Sequence, residues 1–451
     1  MDLRLASRVL FLRAALRRRD HWDAVRIAAH QERALQDLRR ATYAGSEFYR
    51  RHHAGLHEAP FDQLPPVTKA DLMGHFDEAV TAPGLALADL EDHLRQLTAS
   101  GGDPGIPWQG RWWAAATAGT SGVRGTFVWS RSEWAAVLAS YARASDWAGI
   151  KAGISKPLKM ALVSSLVPTH QSAVVGASLR SGVVRTLRLD VIAPMDETVA
   201  GLNRFQPSVL VGYASALLRL AMEQLAGHLR IAPRAVMSAS EVLSPEAAQE
   251  LEAAWGSAPF DVYAATETAG IASPCVYRNR HVYEDLLIVE SVDAEGIRVS
   301  RGTTGAKILV TVLFSRTLPL IRYEMSDSVK LGGRGCPCGR SFTVMEDIEG
   351  RIEDVLDLPG RSGPLRVHPN VFHHVLDQAA TAGWQVLQEA HGLRVLLAGV
   401  RAGSTIEGIR AAVADALTAA GVVGTPVDVT VVDQLERTPL GKAPFVRRLK
   451  R

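Results

Sequence analysis

The chain has 451 residues, of which 47% are hydrophobic and 22% charged. That is the composition of a folded protein and more than one ordinary domain accommodates. A formal net charge of only +3, with Lys and Arg dispersed among acids, excludes the basic, aromatic-interleaved stripe of a nucleic-acid binder.

Residues 1–95 read as helices joined by polar loops. The Arg-rich segment at positions 1–20 is amphipathic and lacks an apolar core followed by a small-residue cleavage site. It is expected to pack its Leu, Val and Phe face on the protein body, with a membrane-surface helix as the alternative. No stretch approaches the ~20 apolar residues of a membrane span. Positions 64–72 read as a turn followed by a capped helix. From about 110 to 330, strand candidates at 159–166, 207–211 and 234–237 alternate with helical patterns at 214–227 and 244–256, which argues for parallel sheet built from βαβ units. Positions 283–325 read as antiparallel strands with Gly-containing turns. A boundary is placed near Gly350. Beyond it lie strand-like runs at 384–390, 393–400 and 427–432 and one helix at 404–421. The expected fold class is therefore α/β. A large domain, 1–350, has parallel-rich α/β sheets and a small antiparallel β subdomain; a small, mobile α+β domain, 351–451, follows.

Five stretches carry candidate chemistry. Thr117-Ala118-Gly119-Thr120-Ser121-Gly122 interleaves hydroxyls with glycines, which suits either a polyphosphate loop or a plain flexible turn; it is not a Walker motif. Tyr263-Ala264-Ala265-Thr266-Glu267-Thr268 follows a short apolar segment and puts a carboxylate and a hydroxyl at a strand end. It reads as a Mg²⁺ and phosphate site or as a helix N-cap. Arg322-Tyr323-Glu324-Met325-Ser326-Asp327 ends in a carboxylate able to accept from two ribose hydroxyls, or in an ordinary turn Asp. Gly350-Arg351-Ile352-Glu353-Asp354 has the composition of an exposed hinge or of any linker. Thr438-Pro439-Leu440-Gly441-Lys442 places a lysine near the C-terminus, where lysines are usually only solvated.

The three cysteines, Cys275, Cys336 and Cys338, are too few for a disulfide framework, so a cytoplasmic location is expected. With His281 they make a complete tetrahedral set for structural Zn²⁺; the alternative is three unrelated buried thiols.

In order and spacing, the five stretches resemble the adenylate-forming superfamily of acyl-CoA synthetases, adenylation domains and luciferases, over roughly 95–451. Within it the chain is most similar to the phenylacetate–CoA ligase branch, which shares the Cys336-Pro337-Cys338-Gly339-Arg340 stretch. The resemblance implies that ATP, with Mg²⁺ on Glu267, is bound by Thr117, Gly119, Thr120, Ser121 and Gly122. It places Ser240, Glu241 and Tyr263 around adenine, Thr266 at the α-phosphate, and Asp327 with Arg351 at the ribose. Glu353 falls at the hinge. Lys442 would bridge the substrate carboxylate and the α-phosphate, and so act with Thr266 and Glu267 in catalysis. By position, Tyr213, Ala239 and Ala264 would line the pocket of an aromatic or arylacetic-like acid, with His170 either beside its carboxylate or on a surface loop.

The implied reaction is formation of an acyl-adenylate with loss of pyrophosphate, then transfer to coenzyme A. Some positions depart from the family pattern. Val123-Arg124-Gly125 stands where a Pro or Lys is usual, Ala264 replaces a Gly, and 358–366 differs from the loop associated with coenzyme A. These leave an amine or a carrier-protein thiol as alternative acceptors, and a catalytically inactive binding homologue as a further alternative. A homodimer is compatible with the sequence.

Overall fold

The computed structural model describes residues 3–117, 124–151, 157–179, 183–351, 356–361, 363–367, 369–376, 379, 381, 383–400, 405–437 and 445–448. The first region is helical: α1 (Leu3–Arg19), α2 (Ala24–Gly45), α3 (Glu47–His52), α4 (Lys69–Gly74), α5 (Phe76–Ala79) and α6 (Leu87–Ala99). Side chains set several of the starts. Asp23 accepts from the Arg26 amide, and Thr68 and Asp71 form a reciprocal capping box on α4.

A Trp-rich hairpin follows, β1 (Trp112–Ala116) with β2 (Thr126–Ser130), and then α7 (Arg131–Trp147). The main sheet runs β3 (Leu158–Ser164), α8 (Gln171–Ser178), β4 (Val184–Asp190), α9 (Met195–Phe205), β5 (Val209–Gly212), α10 (Ala214–Leu225), β6 (Ala235–Ala239), α11 (Pro245–Trp255), β7 (Phe260–Ala265), β8 (Ala269–Pro274) and β9 (Arg280–Val282). Its order is β4-β3-β5-β6-β7-β8-β9, parallel from β4 to β7 and antiparallel thereafter. Strands such as β5 and β6 are near-continuous apolar runs because helices cover both faces of a parallel sheet. The helix between them and β7 is punctuated locally: Ser244 caps α11, Pro245 starts it, and Gly256 ends it at φ +73°.

Antiparallel strands β10 (Leu287–Val292), β11 (Lys307–Val312) and β12 (Tyr323–Met325) form one small sheet. A second pairs β13 (Asp327–Leu331) with β14 (Met345–Arg351). Gly350 and Arg351 are thus strand residues at the end of β14, paired with Ser328 and Asp327. The backbone prefers the ladder because it satisfies the amides that a bare linker would leave to water. The stretch 358–366 forms a tight hairpin of β15 (Leu356–Gly360) and β16 (Gly363–Val367). After α12 (Asn370–Leu376) come β17 (Gly383–Glu389), β18 (Gly392–Ala398), α13 (Ile406–Ala419), β19 (Val427–Val432) and β20 (Val446–Arg447), in the sheet order β19-β18-β17-β20. Leu356, Phe372, Trp384, Val395, Val413 and Val446 belong to a hydrophobic core confined to 356–446.

Candidate active site and metal centre

Strand connectivity locates the crevice. From β3 the chain crosses to β4 on one side, whereas from β5 it crosses to β6 on the other. The order therefore reverses between β3 and β5, and ligands of open α/β sheets bind outside the carboxyl ends at such a switch point. Immediately beyond those ends lie Ser165 after β3, Tyr213 after β5, Ser240 and Glu241 after β6, and Thr266 and Glu267 after β7.

Tyr213 is buried and its hydroxyl accepts from the Ser165 amide at 3.3 Å. It also lies 3.3 Å from Nδ1 of His170, which is 2.8 Å from Ser172 Oγ. Burial pushes the Tyr213 phenol up to about 12, so it stays neutral, and its ring packs in the core with Val163, Leu210 and Leu217. His170 is itself buried, as the N-cap of α8, rather than exposed on a loop. Ser240 adopts φ +73°, a left-handed conformation disfavoured for a side chain of its kind; such strain gathers at functional turns. One Glu241 oxygen accepts from the Ser215 amide at 2.9 Å and so caps α10.

The segment 169–172 ties the crevice together. The Thr169 carbonyl accepts from the Ala116 amide at 2.8 Å. Gln171 donates to the Thr266 carbonyl at 2.9 Å and accepts from Tyr141 Oη at 2.7 Å. Thr117 closes the mouth of its loop: its amide donates to the Gly125 carbonyl and its hydroxyl accepts from the Gly125 amide, both at 2.8 Å. Gly119, Thr120, Ser121 and Gly122 lie outside the described residues, as do Glu353 and Lys442.

Thr266 and Glu267 occupy the β7–β8 hairpin turn, so the helix N-cap reading of Thr266 does not apply. Glu267 is buried, and Lys69 Nζ lies 3.9 Å from its Oε1. Sequence reasoning missed this lysine. It is the first residue of α4, oriented by the Thr68–Asp71 capping box. The approach to it is pinned where the Val67 amide donates to the Arg322 carbonyl and the Glu324 amide donates to the Val67 carbonyl. The Glu267 carboxylate offers hard oxygen donors of the kind Mg²⁺ takes. Arg322, by contrast, is structural: its buried guanidinium pairs with Glu290 at 3.1 Å and donates to the Asp62 carbonyl at 2.7 Å. Asp327 is buried at the start of β13, directly opposite Arg351 in the ladder. Tyr263, Ala264 and Ala239 are half-buried beside the same strand ends.

A second cluster lies at the far end of β8. Metal-ligating atoms of Cys275, His281, Cys336 and Cys338 all fall within 4.8 Å of one another. Cys275 and Cys336 sulfurs are 3.6 Å apart, and Cys338 Sγ is 3.3 Å from His281 Nε2. His281 Nδ1 faces the Phe342 carbonyl at 3.2 Å. A carbonyl only accepts, so that nitrogen carries the proton and Nε2 offers its lone pair to the cluster. Three thiols and one imidazole fit a closed, structural Zn²⁺.

No family model matches the chain. A stretch of 133 residues, 28% of this chain, is 29% identical to the phenylacetate-coenzyme A ligase of Thermus thermophilus and covers 29% of it. A similar stretch is 28% identical over 134 residues to protein CapK of Staphylococcus aureus, covering 28% of it. The chain thus matches under a third of the length of these curated relatives. Among solved structures, a 2-hydroxyisobutyryl-CoA ligase in the postadenylation state, with 2-HIB-AMP, superposes with a TM-score of 0.73 at 20% identity, over 96% of this chain and 91% of that one. The chain has the fold of that ligase structure. ATP-bound MatB of Rhodopseudomonas palustris also shares it, with a TM-score of 0.52 at 18% identity over 73% of this chain and 65% of that one.

Proposed function

We propose that this chain activates a carboxylic acid with ATP as its acyl-adenylate, releasing pyrophosphate, and then transfers the acyl group to coenzyme A. The observation that carries the reading is the gathering of the Thr117 loop mouth, the Thr266–Glu267 turn and Lys69 at the switch-point ends of the sheet. Attack of a carboxylate on the α-phosphate brings two anions together, so positive charge must be held where they meet. Lys69 supplies one such charge from the large domain. Lys442 supplies a second, from the region beyond 351, bridging the acid and the α-phosphate. Mg²⁺, when bound at Glu267, would neutralise phosphate charge. Thr117, Gly119, Thr120, Ser121 and Gly122 hold the β- and γ-phosphates, and Thr266 meets the α-phosphate. Asp327 and Arg351, opposite each other in β13 and β14, take the ribose hydroxyls. Ser240, Glu241 and Tyr263 line the adenine site.

The acid lies against Tyr213, Ala239 and Ala264. One aromatic and two small side chains suit a flat, aromatic or arylacetic-like acid. A swing of the small domain about Glu353 would then withdraw Lys442 and admit the acceptor. The compact hairpin of β15 and β16 favours testing a second reading, in which an amine or carrier-protein thiol is the acceptor. The test is pyrophosphate release from ATP and Mg²⁺ across aryl, arylacetic and short aliphatic acids, followed by addition of coenzyme A or amines. Acid-dependent release that collapses in Lys442→Ala and Glu267→Gln supports the proposal. ATP binding without release for any acid contradicts it.

A further inference from the structure

Helix α1 presents two unlike faces. Leu5 and Leu16 are buried, with Val9 and Leu12 packed against the body. The helix is clamped by Arg13, which holds Asp146 with both Nε and Nη2 at 2.8 and 2.6 Å, and by Arg17 at 2.7 Å from the same carboxylate. On the opposite side Leu3, Leu10 and Phe11 are 85%, 62% and 69% exposed. Their spacing of seven and eight positions sets them on one stripe, with Ser7 and Ala14 between them. Among the described residues no other helix or strand exposes three large apolar side chains. Along that stripe run the exposed Arg4, Arg8 and Arg18 on one flank and Arg17 on the other, and the helix contains no acidic residue.

We infer that this face of α1 docks the protein, lying flat, on an anionic lipid surface. An apolar stripe between arginines is the arrangement in which Leu and Phe enter the acyl boundary while guanidinium groups reach back to lipid phosphates. Charge decides against a second copy of the chain, because a symmetric contact through this stripe would bring the Arg4, Arg8 and Arg18 row against its own like charges. Apart from Arg17, no side chain of the docking face takes part in the clamp on Asp146, and the variants tested leave Arg13 and Arg17 in place.

The test is flotation of the full-length protein with vesicles of phosphatidylcholine alone or mixed with phosphatidylglycerol, at low and high salt. Binding is expected only to the anionic vesicles, weakened by salt. It should fall about tenfold or more in Leu10→Glu/Phe11→Glu. Arg4→Gln/Arg8→Gln/Arg18→Gln should lose the preference for anionic lipid, and both variants should keep the wild-type melting temperature and acid-dependent pyrophosphate release. Three results overturn the inference: no flotation with either vesicle, equal flotation of the variants, or a change of oligomeric state in Leu10→Glu/Phe11→Glu without any lipid binding by wild type. The last would make the stripe a protein interface instead.

Discussion

Replacing Cys338 by serine should release a metal and loosen the far end of β8, the strand that follows the Thr266–Glu267 turn. Around a tetrahedral zinc with Zn–S bonds of ~2.3 Å and a Zn–N bond of ~2.05 Å, two sulfurs stand ~3.8 Å apart and a sulfur and nitrogen ~3.6 Å. The corresponding separations here are 3.6 Å and 3.3 Å. Cys275 and Cys336 are 61 positions apart, and a crosslink closing a loop of that length contributes at most about 4 kcal/mol through the unfolded chain. Pairing of Ser273 with His281, and the bridge from His281 to Val344, already hold these ends together. About half of that maximum, ~2 kcal/mol, is therefore expected, which lowers the thermal midpoint by ~3 °C in a domain of this size. Protein purified without chelator should contain stoichiometric zinc by elemental mass spectrometry. Cys338→Ser, or a chelator added to wild type, should give the shift in a melting scan. Zinc-free wild-type protein, or a Cys338→Ser variant with unchanged metal content and midpoint, would refute the reasoning. Pyrophosphate release should survive better than stability, since β8 puts about 20 Å between this cluster and Glu267.

Three further outcomes follow from the geometry. Lys69→Ala should lower kcat/KM for pyrophosphate release on the order of a hundredfold, with ATP affinity far less affected and Lys69→Arg partly active; a wild-type rate would remove Lys69 from the site. Arg143 is buried between Asp285 at 2.6 Å and Asp20 at 3.0 Å, so among the described residues Arg143→Leu leaves Asp285 only Arg19 at 3.5 Å and Asp20 only the Trp147 indole N–H as side-chain partners. It should cost about 3–5 kcal/mol in denaturant unfolding, and a loss under ~1 kcal/mol would show that water reaches the pair. Burial holds His53 down to about 3, with Tyr43 Oη 3.0 Å from its Nδ1. The unfolded chain takes up its proton below about 6.5 and the folded one does not, so stability falls as pH drops from that value toward about 3. The fall should be shallower in His53→Gln, and parallel profiles would contradict the assignment.

How far these features could be read in advance depends on what makes each residue do its work. β3, β5 and β6 were legible because strands covered on both faces are short apolar runs between turn signals. β4, Val-Arg-Thr-Leu-Arg-Leu-Asp, escaped notice because it is an edge strand whose arginines break such a run. The helix α7 is buried on nearly every side, so it lacks the polar face that periodicity detects. The position of Thr266 and Glu267 at a strand end is legible because they directly follow the run that forms β7. Lys69 was read only as part of a capped turn, correctly as far as Thr68 and Asp71 go. Its relation to Glu267 arises from the edge pairing of Val67 with Tyr323, a contact between distant segments that no local pattern encodes. His170 was weighed as a surface residue for the same reason, since its burial comes from Tyr213 and the turn that anchors β1.

The most direct test of the central claim is the fate of oxygen from the acid. A substrate acid labelled with heavy oxygen in its carboxylate is incubated with the protein, ATP, Mg²⁺ and the acceptor, and the nucleotide and phosphate products are analysed by mass spectrometry. Attack on the α-phosphate, followed by acyl transfer, leaves one carboxylate oxygen on AMP and none on pyrophosphate. Label in inorganic phosphate with ADP as the nucleotide product would mean attack at the γ-phosphate, and would contradict the adenylate route.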